Sequence, residues 1–365
     1  MRRSSVKWSQ TLKLKHSRSM NTSVKEFHHI IRVDDPTVSF PVQLDEVLGK
    51  VAALSEGKKI FFLRFFISDA ANQQHLLSKA LEDRVIAEAS VIQQPPLDGS
   101  KIAAWLWAVE GELNPAYTHN VVCNLTSDAA NSLDQMASIF SEYEGRLAGQ
   151  EMNVADNCVR TWIFVRDVDT NYAGVVVGRR NHFDAIGLTP QTHYIASTGI
   201  QGSHADYHKV VVMDAYAVKG LQPEQIQYLQ AKSHLNPTYE YGVTFERGTS
   251  VTYGDRKHIF ISGTASIDNK GQILHEGDVA SQAVRMMENI AALLAETNAG
   301  LDDIRSAILY LRDASDYRVI SSLFKEKWPM LDPVFVQAPV CRPGWLIEME
   351  CIADTTVETD AYPSF

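Results

Sequence analysis

Residues 61–69 (FFLRFFISD), 158–167 (CVRTWIFVRD) and 304–313 (IRSAILYLRD) decide the fold, because one phrase occurs three times in a single chain. Each is an aromatic and aliphatic run of strand length that stops at Ser-Asp or Arg-Asp, as a strand buried on both faces does before its turn. Each run is followed by a helical segment, at 73–82, 172–183 and 314–328. Ahead of the second and third runs stand further helices, at 133–147 and 280–296. In the latter, Ala280, Val284, Met287, Ala291 and Leu294 share one face, and Gly300 ends the segment. Each copy closes with two strands around a turn. These are 89–92 and 101–109, flanking Pro95-Pro96-Leu97-Asp98-Gly99; 194–199 and 210–217; and 334–340 and 346–353, flanking Arg342-Pro343-Gly344. Asp-Gly and Pro-Gly suit such reversals.

A pattern of helix, apolar strand, helix and closing strands that returns every roughly 100–150 residues is an internal repeat. We therefore expect an α+β fold of three copies, at 26–112, 113–222 and 236–356. The first copy is the most diverged, with its opening hairpin expected near 30–58. Residues 1–25 hold Arg2, Arg3, Lys7, Lys13, Lys15, Arg18 and Lys25, no acidic residue and no apolar core of a secretory signal. They are expected to form a disordered basic arm.

The chain has 365 residues, 45% hydrophobic and 21% charged, enough to bury a large core. Its longest apolar stretches are strand-length and fall well short of the roughly 20 residues a membrane span needs, so no membrane partner is expected. Seven of the 34 basic residues lie in the arm. The other 27 face 44 acidic residues, a net −17 that repels phosphate backbones and argues against a nucleic-acid partner. Cys123, Cys158, Cys341 and Cys351 form neither a disulfide framework nor a Cys/His spacing, which points to a reducing cytoplasm. His204 and His208 lack a third ligand, and no Walker or GxGxxG motif is present, so neither a metal nor a cofactor is expected.

Three segments near the C-terminus carry a family resemblance. Ile259-Phe260-Ile261-Ser262-Gly263-Thr264-Ala265, the set Gly277, Asp278, Val279, Gln282 and Asn289, and Ile347-Glu348-Met349-Glu350-Cys351-Ile352-Ala353 resemble the early Ser-Gly strand, first helix and closing strand of the YjgF/RidA family, also called endoribonuclease L-PSP. Members of that family are usually homotrimers with ligand clefts between subunits. The resemblance thus implies three YjgF/RidA-like (chorismate-mutase-like) units in an intrachain pseudo-trimer, monomeric or associating further, with three inequivalent clefts.

Thr244-Phe245-Glu246-Arg247-Gly248, Ser262 to Ile267 and Ser197 to Ile200 are also similar to segments of the chorismatases, which hydrolyse chorismate. The imine-hydrolysing relatives hold a substrate carboxylate with an arginine near the start of the first closing strand. The matching slots here are Glu88 or Ala89, Ser197, and Val334 or Phe335. None is arginine, so a cleft of that kind must recruit its guanidinium elsewhere, for example from Arg247 or Arg342.

Glu348 and Glu350 stand two apart on a strand and share a face, opposite the apolar Trp345, Ile347, Met349, Cys351 and Ala353. By pattern alone both are solvated. The resemblance assigns Glu348 to a cleft, where partial desolvation raises a carboxyl pKa enough for it to donate a proton. Guanidinium groups bind carboxylates bidentately, which makes Arg247, Arg160 and Arg342 the candidates for substrate binding, each otherwise an ordinary surface arginine. Ser262, Gly263 and Thr264, with Thr198 and Gly199, either present hydroxyls and open backbone to an anion or accommodate a strand bulge. Cys341, without a histidine beside it in sequence, reads as inert.

The expected function is that of a cofactor-free lyase or hydrolase acting on a small carboxylated metabolite in the manner of a chorismatase, with Glu348 as the acid. A RidA-type enamine or imine deaminase and a non-catalytic small-ligand-binding protein are the alternatives.

Overall fold

The computed structural model describes residues 24–84 and 88–365. The basic arm therefore lies outside the described residues, except that Lys25, counted within it, opens the first strand and pairs with Glu110. The first unit runs β1 (Lys25–Ile31), α1 (Phe40–Ser55), β2 (Lys59–Ile67), α2 (Ala70–Asp83), β3 (Ser90–Gln93) and β4 (Ile102–Glu110). The second runs β5 (Thr118–Leu125), α3 (Ser132–Ala148), the single turn α4 (Val154–Asn157), β6 (Cys158–Val165), α5 (Val168–Ala185), β7 (Ala196–Gln201) and β8 (Val211–Lys219). The third runs β9 (Ile226–Leu229), β10 (Gly248–Thr252), β11 (Arg256–Ala265), α6 (Val279–Ala295), β12 (Ile304–Leu311), α7 (Tyr317–Lys327), β13 (Val334–Gln337) and β14 (Ile347–Thr356).

The sheet orders are β1-β4-β2-β3, β5-β8-β6-β7 and β13-β12-β14-β11-β10-β9. They are one topology, to which the third unit adds β10 and β9 at an edge. In every copy the central strand pairs parallel with the short strand that follows it and antiparallel with the closing strand. A parallel pair needs a crossover, which α2, α5 and α7 supply.

The repeated phrases are apolar throughout because each strand feeds two cores. Phe62, Trp105, Trp162, Phe164, Tyr216 and Phe260 point inward and meet across the three sheets. Leu63, Phe65 and Ile67 point outward beneath α1 and α2, as Ile163 and Val165 do beneath α3 and α5. The sheets therefore enclose a common centre and the helices lie outside. Isolated bridges from Gln93 to Ser203, Pro96 to Val336 and Ile200 to Val340 link the three units pairwise.

A buried glutamine near the start of the first helix locks each copy. Gln43 accepts from Lys101 N, Gln135 from Val210 N, and Gln282 from Leu346 N, each tying its helix to the approach of the closing strand. This corrects the face expected for α6. Its buried side is Ala283, Met286, Met287, Ile290, Leu293 and Leu294 together with Gln282 and Asn289, while Ala280, Val284 and Ala291 are only half-buried. Asn289 Nδ2 reaches Ala265 O and Ile267 O, so two amides belong to a face that apolar residues alone place elsewhere. The hairpin expected near 30–58 is also corrected, since that segment holds the end of β1 and the helix α1.

Candidate active site

Aligning the units on Asp69, Asp167 and Asp313 gives the closing strands a common register. Phe66 pairs with Ala103, Phe164 with Val212 and Tyr310 with Glu348. Glu348 is thus the acid in a slot that holds Ala103 and Val212 in the sister strands. It borders a pocket between the second and third units, enclosing about 530 Å³ of empty space including the part open to solvent.

The second unit contributes Tyr172 and Arg179 from α5 and Ser197, Thr198 and Gly199 from β7. The third contributes Val243, Phe245 and Arg247 ahead of β10, Gly263 from β11, and Cys341, Arg342, Trp345 and Glu348 from the closing turn and β14. Of the residues singled out from sequence, Glu348, Arg247, Arg342, Gly263, Thr198 and Gly199 lie on this wall. Arg160, Ser262 and Thr264 do not. Arg160 is buried behind the wall, its Nη2 2.7 Å from Glu350 Oε2. Ser262 Oγ accepts from Ser197 N and Arg160 Nη1 and donates to Glu246 O, and Thr264 Oγ1 donates to Ser262 O. The Ser262 hydroxyl thus ties the two units together and has no hydrogen-bonding position left for a ligand.

Glu350 is not solvated either. It is 3% exposed and its second oxygen lies 3.6 Å from Arg64 Nη1, while Arg64 Nη2 pairs with Asp214 at 2.8 Å. Two buried guanidiniums thereby face two buried carboxylates at the centre of the molecule, which is how buried charge is tolerated. Among the described residues Glu348 has no such direct partner. Burial, reinforced by the nearby charge of Glu350, pushes its pKa up to about 8 against the weaker pull of Arg247 and Arg160. It is therefore mostly protonated at neutral pH.

Backbone geometry makes room for that carboxyl. The pairing of β11 with β14 slips between Ile261 and Thr264, a bulge that brings Gly263 against Glu348. A Cβ at Gly263 would sit 2.2 Å from Glu348 Oε1, so no side chain fits there without displacing the acid. Gly199 plays the same part for Tyr172, whose ring would lie 2.8 Å from a Cβ.

Three arginines are held on aromatic faces around the acid: Arg247 at 5.6 Å and Arg179 at 6.0 Å from the Phe245 ring, and Arg342 at 5.0 Å from Trp345. Arg247 is steadied by Asn236, and Arg179 by Thr244 Oγ1 and Ser197 Oγ. Arg179 was not among the sequence candidates. It donates to the hydroxyl of Ser197, the slot that lacks an arginine in this unit. With Glu348 neutral, the wall carries three positive charges and suits a ligand with more than one carboxylate. Burial and Glu348 push the Cys341 thiol up to about 12, so it is not a nucleophile at neutral pH.

The model of the endoribonuclease L-PSP family matches residues 250–355. A RutC family protein of Pyrococcus abyssi is 35% identical over 97 residues, covering 26% of this chain and 76% of that protein. The chain belongs to the YjgF/RidA superfamily. Within it, a 3-aminoacrylate deaminase of Acinetobacter baylyi is 30% identical over 97 residues, 26% of this chain and 77% of that one. A chorismatase of Streptomyces rapamycinicus is 28% identical over a longer stretch of 210 residues, 52% of this chain and 62% of that protein. A chorismatase crystal structure superposes with a TM-score of 0.65 at 16% identity, covering 92% of this chain and all of that one, and so shares the fold of three RidA-like units. The Acinetobacter and Streptomyces relatives are both named as enzymes. Among the described residues no helix is long and apolar enough to cross a membrane, and no cluster of His, Cys, Asp and Glu could hold a metal ion.

Proposed function

We propose that the protein hydrolyses the enol ether of chorismate or a close analogue, releasing pyruvate. The observation that carries this reading is one protonated carboxyl, Glu348, in the same pocket as Arg179, Arg247 and Arg342. An enol ether is inert until its methylene carbon is protonated. Glu348 gives its proton to that carbon, the ether oxygen shares the resulting positive charge as an oxocarbenium, and water adds to the cationic carbon. The hemiketal then collapses to pyruvate and the ring alcohol, and the proton released by the water returns to Glu348. The arginines hold the two carboxylates, one on the ring and one on the enolpyruvyl group, so that the methylene carbon faces the acid. The likeness to the Streptomyces chorismatase, which extends over 210 residues, supports this choice.

Incubation of the purified protein with chorismate, followed for pyruvate, tests it. Release by the intact protein and a loss of about a thousandfold in Glu348→Gln is the expected result. No release by the intact protein sinks the reading. A second reading, deamination of an enamine acid, is favoured by the match to the Acinetobacter deaminase. Ammonia release from 3-aminoacrylate in place of pyruvate release from chorismate would establish it.

A further inference from the structure

A hydroxyl oxygen accepts two hydrogen bonds and donates one. Thr198 Oγ1 accepts from Arg160 Nη2 at 2.5 Å and from the Gly263 N–H at 2.9 Å, and among the described residues none accepts its proton. Thr198 is among the residues that line the pocket, and its methyl group would lie 3.0 Å from a Cβ at Gly263 on the pocket wall. Ser262 is the contrast, for its hydroxyl has two donors and an acceptor, all within the protein. Arg160 cannot swing away to relieve Thr198. It is 1% exposed and clamped by Glu350 Oε2 at 2.7 Å and Ser262 Oγ at 3.3 Å.

We propose that the buried Arg160–Glu350 pair is a positioning unit that fixes Thr198 as an obligate hydrogen-bond donor, and that Thr198 thereby selects a carboxylate oxygen of the ligand over an N–H group. This rests on reading the pocket as a carboxylate site, and it assigns Arg160 and Glu350 a role exercised without touching the ligand. With both acceptor positions of Thr198 occupied, a ligand N–H placed there would meet the hydroxyl's hydrogen and lose its own hydrogen bond.

The same pair acts on Glu348. The groups facing that carboxyl are Glu350 beside it on β14, Tyr310 on β12, Arg160 on β6, Tyr172 and Arg179 on α5, Arg247 ahead of β10, and Cys341 and Arg342 in the closing turn. Replacing Glu350 by Gln removes a negative charge and leaves the positive charge of Arg160 uncompensated. Both changes favour ionised Glu348, so it ionises at lower pH.

The test uses the full chain and benzoate, a monocarboxylate probe, by titration calorimetry. Thr198→Val keeps the shape without the hydroxyl and should bind benzoate about tenfold more weakly or worse, while Thr198→Ser stays within about threefold of the intact protein. Benzoate affinity in the intact protein should fall as pH rises through about 8, where Glu348 becomes an anion. In Glu350→Gln that fall should move to lower pH by a unit or more, about a tenfold shift in the ionisation equilibrium.

Equal binding by Thr198→Val and the intact protein overturns the proposal, as do equal losses in Val and Ser, an unmoved pH profile in Glu350→Gln, or no benzoate binding at all. If Glu350→Gln does not fold, the Thr198 pair decides. Chorismate turnover on the same samples separates the two claims, because the expected binding pattern without turnover would overturn the proposed activity and leave the positioning role standing.

Discussion

The interface between the second and third units and the interface between the first and second are built alike and end differently. Each has a bulge in the opening strand, between Val122 and Leu125 in β5 and between Ile261 and Thr264 in β11. One bulge carries Asn124, the other Gly263. Asn124, tolerated at its φ of 55°, donates to Ala89 O at 2.5 Å and accepts from Val91 N at 2.9 Å, so it zips its strand to β3 and fills the gap. Gly263 has no side chain to do this, and the space goes to Glu348 and the pocket. The acid slot of the closed interface is Val212. At the third interface the slot is Ala103, and the loop after β3 hydrogen-bonds across to β13 through Leu97 N and Phe335 O. Repetition built three equivalent seams, and a few side chains set them apart.

The sharpest way to break this comparison is to write the closed seam into the open one. Gly263→Asn should abolish both benzoate binding and pyruvate release, because its Cβ alone displaces the Glu348 carboxyl. Calorimetry and the coupled assay read this directly, and a variant that keeps full activity would show that the glycine is not what holds the pocket open. Next in size are the guanidiniums on the pocket wall. Arg179→Ala and Arg247→Ala should each lower kcat/KM for chorismate about a hundredfold, as expected for losing one charge-assisted pair to a carboxylate. An Arg179 variant as active as the intact enzyme would return Arg179 to a purely packing role.

A pH experiment sharpens the acid slot. The native pKa of Glu348 is raised from 4.5 to about 8, so the folded state holds a proton that the unfolded chain releases. Stability is therefore lost as pH rises from the lower value to the higher, and the penalty persists above it. Glu348→Gln removes the penalty and should raise Tm at pH 8.5 by about 2–5 °C, with no gain at pH 4. Thermal melts at the two pH values check this. Turnover by the intact protein should likewise decline above pH of about 8, as the acid ionises. The smallest effect belongs to the closed seam. Asn124→Ala should cost about 1–2 kcal/mol in denaturant unfolding by stranding Ala89 O and Val91 N, and should create no second site, because Val212 cannot act as an acid.

The legible parts of this protein are those where one residue type has one physical outcome. Strands β2, β6 and β12 sit between an inner and an outer core, so both faces are apolar and the phrase is visible without any structure. Helix α1 was open to the same reading, since Phe40, Leu44, Val47, Leu48 and Val51 follow helical spacing. Pro41 does not interrupt it, because it stands in the first turn, where its missing N–H costs nothing. Arg179 was the harder case, for it adjoins Arg180 and either could have been the surface residue. Gly174 and Gly178 carry the hint. A Cβ on either would strike Ser132 or the Leu133 backbone, so α5 lies flush on α3 and only one of the two neighbouring arginines turns inward.

By itself the sequence determined three α+β units, their strand order of apolar runs and turns, the acidic surface, and the presence of Glu348 in a family-like closing strand. These are local or periodic properties, set by burial and chain reversal within about 100 residues. Only the tertiary structure decided that Glu350 is buried against Arg160 and Arg64 while Glu348 faces a pocket. It also decided that Arg179 arrives from a neighbouring unit and that a pocket lies in the seam between the second and third units. The reason is electrostatic and steric at once. The charge state of a carboxyl depends on which groups surround it in a low-dielectric interior, and here those groups come from distant parts of the chain, Arg160 lying 190 residues from Glu350 and Arg64 further still.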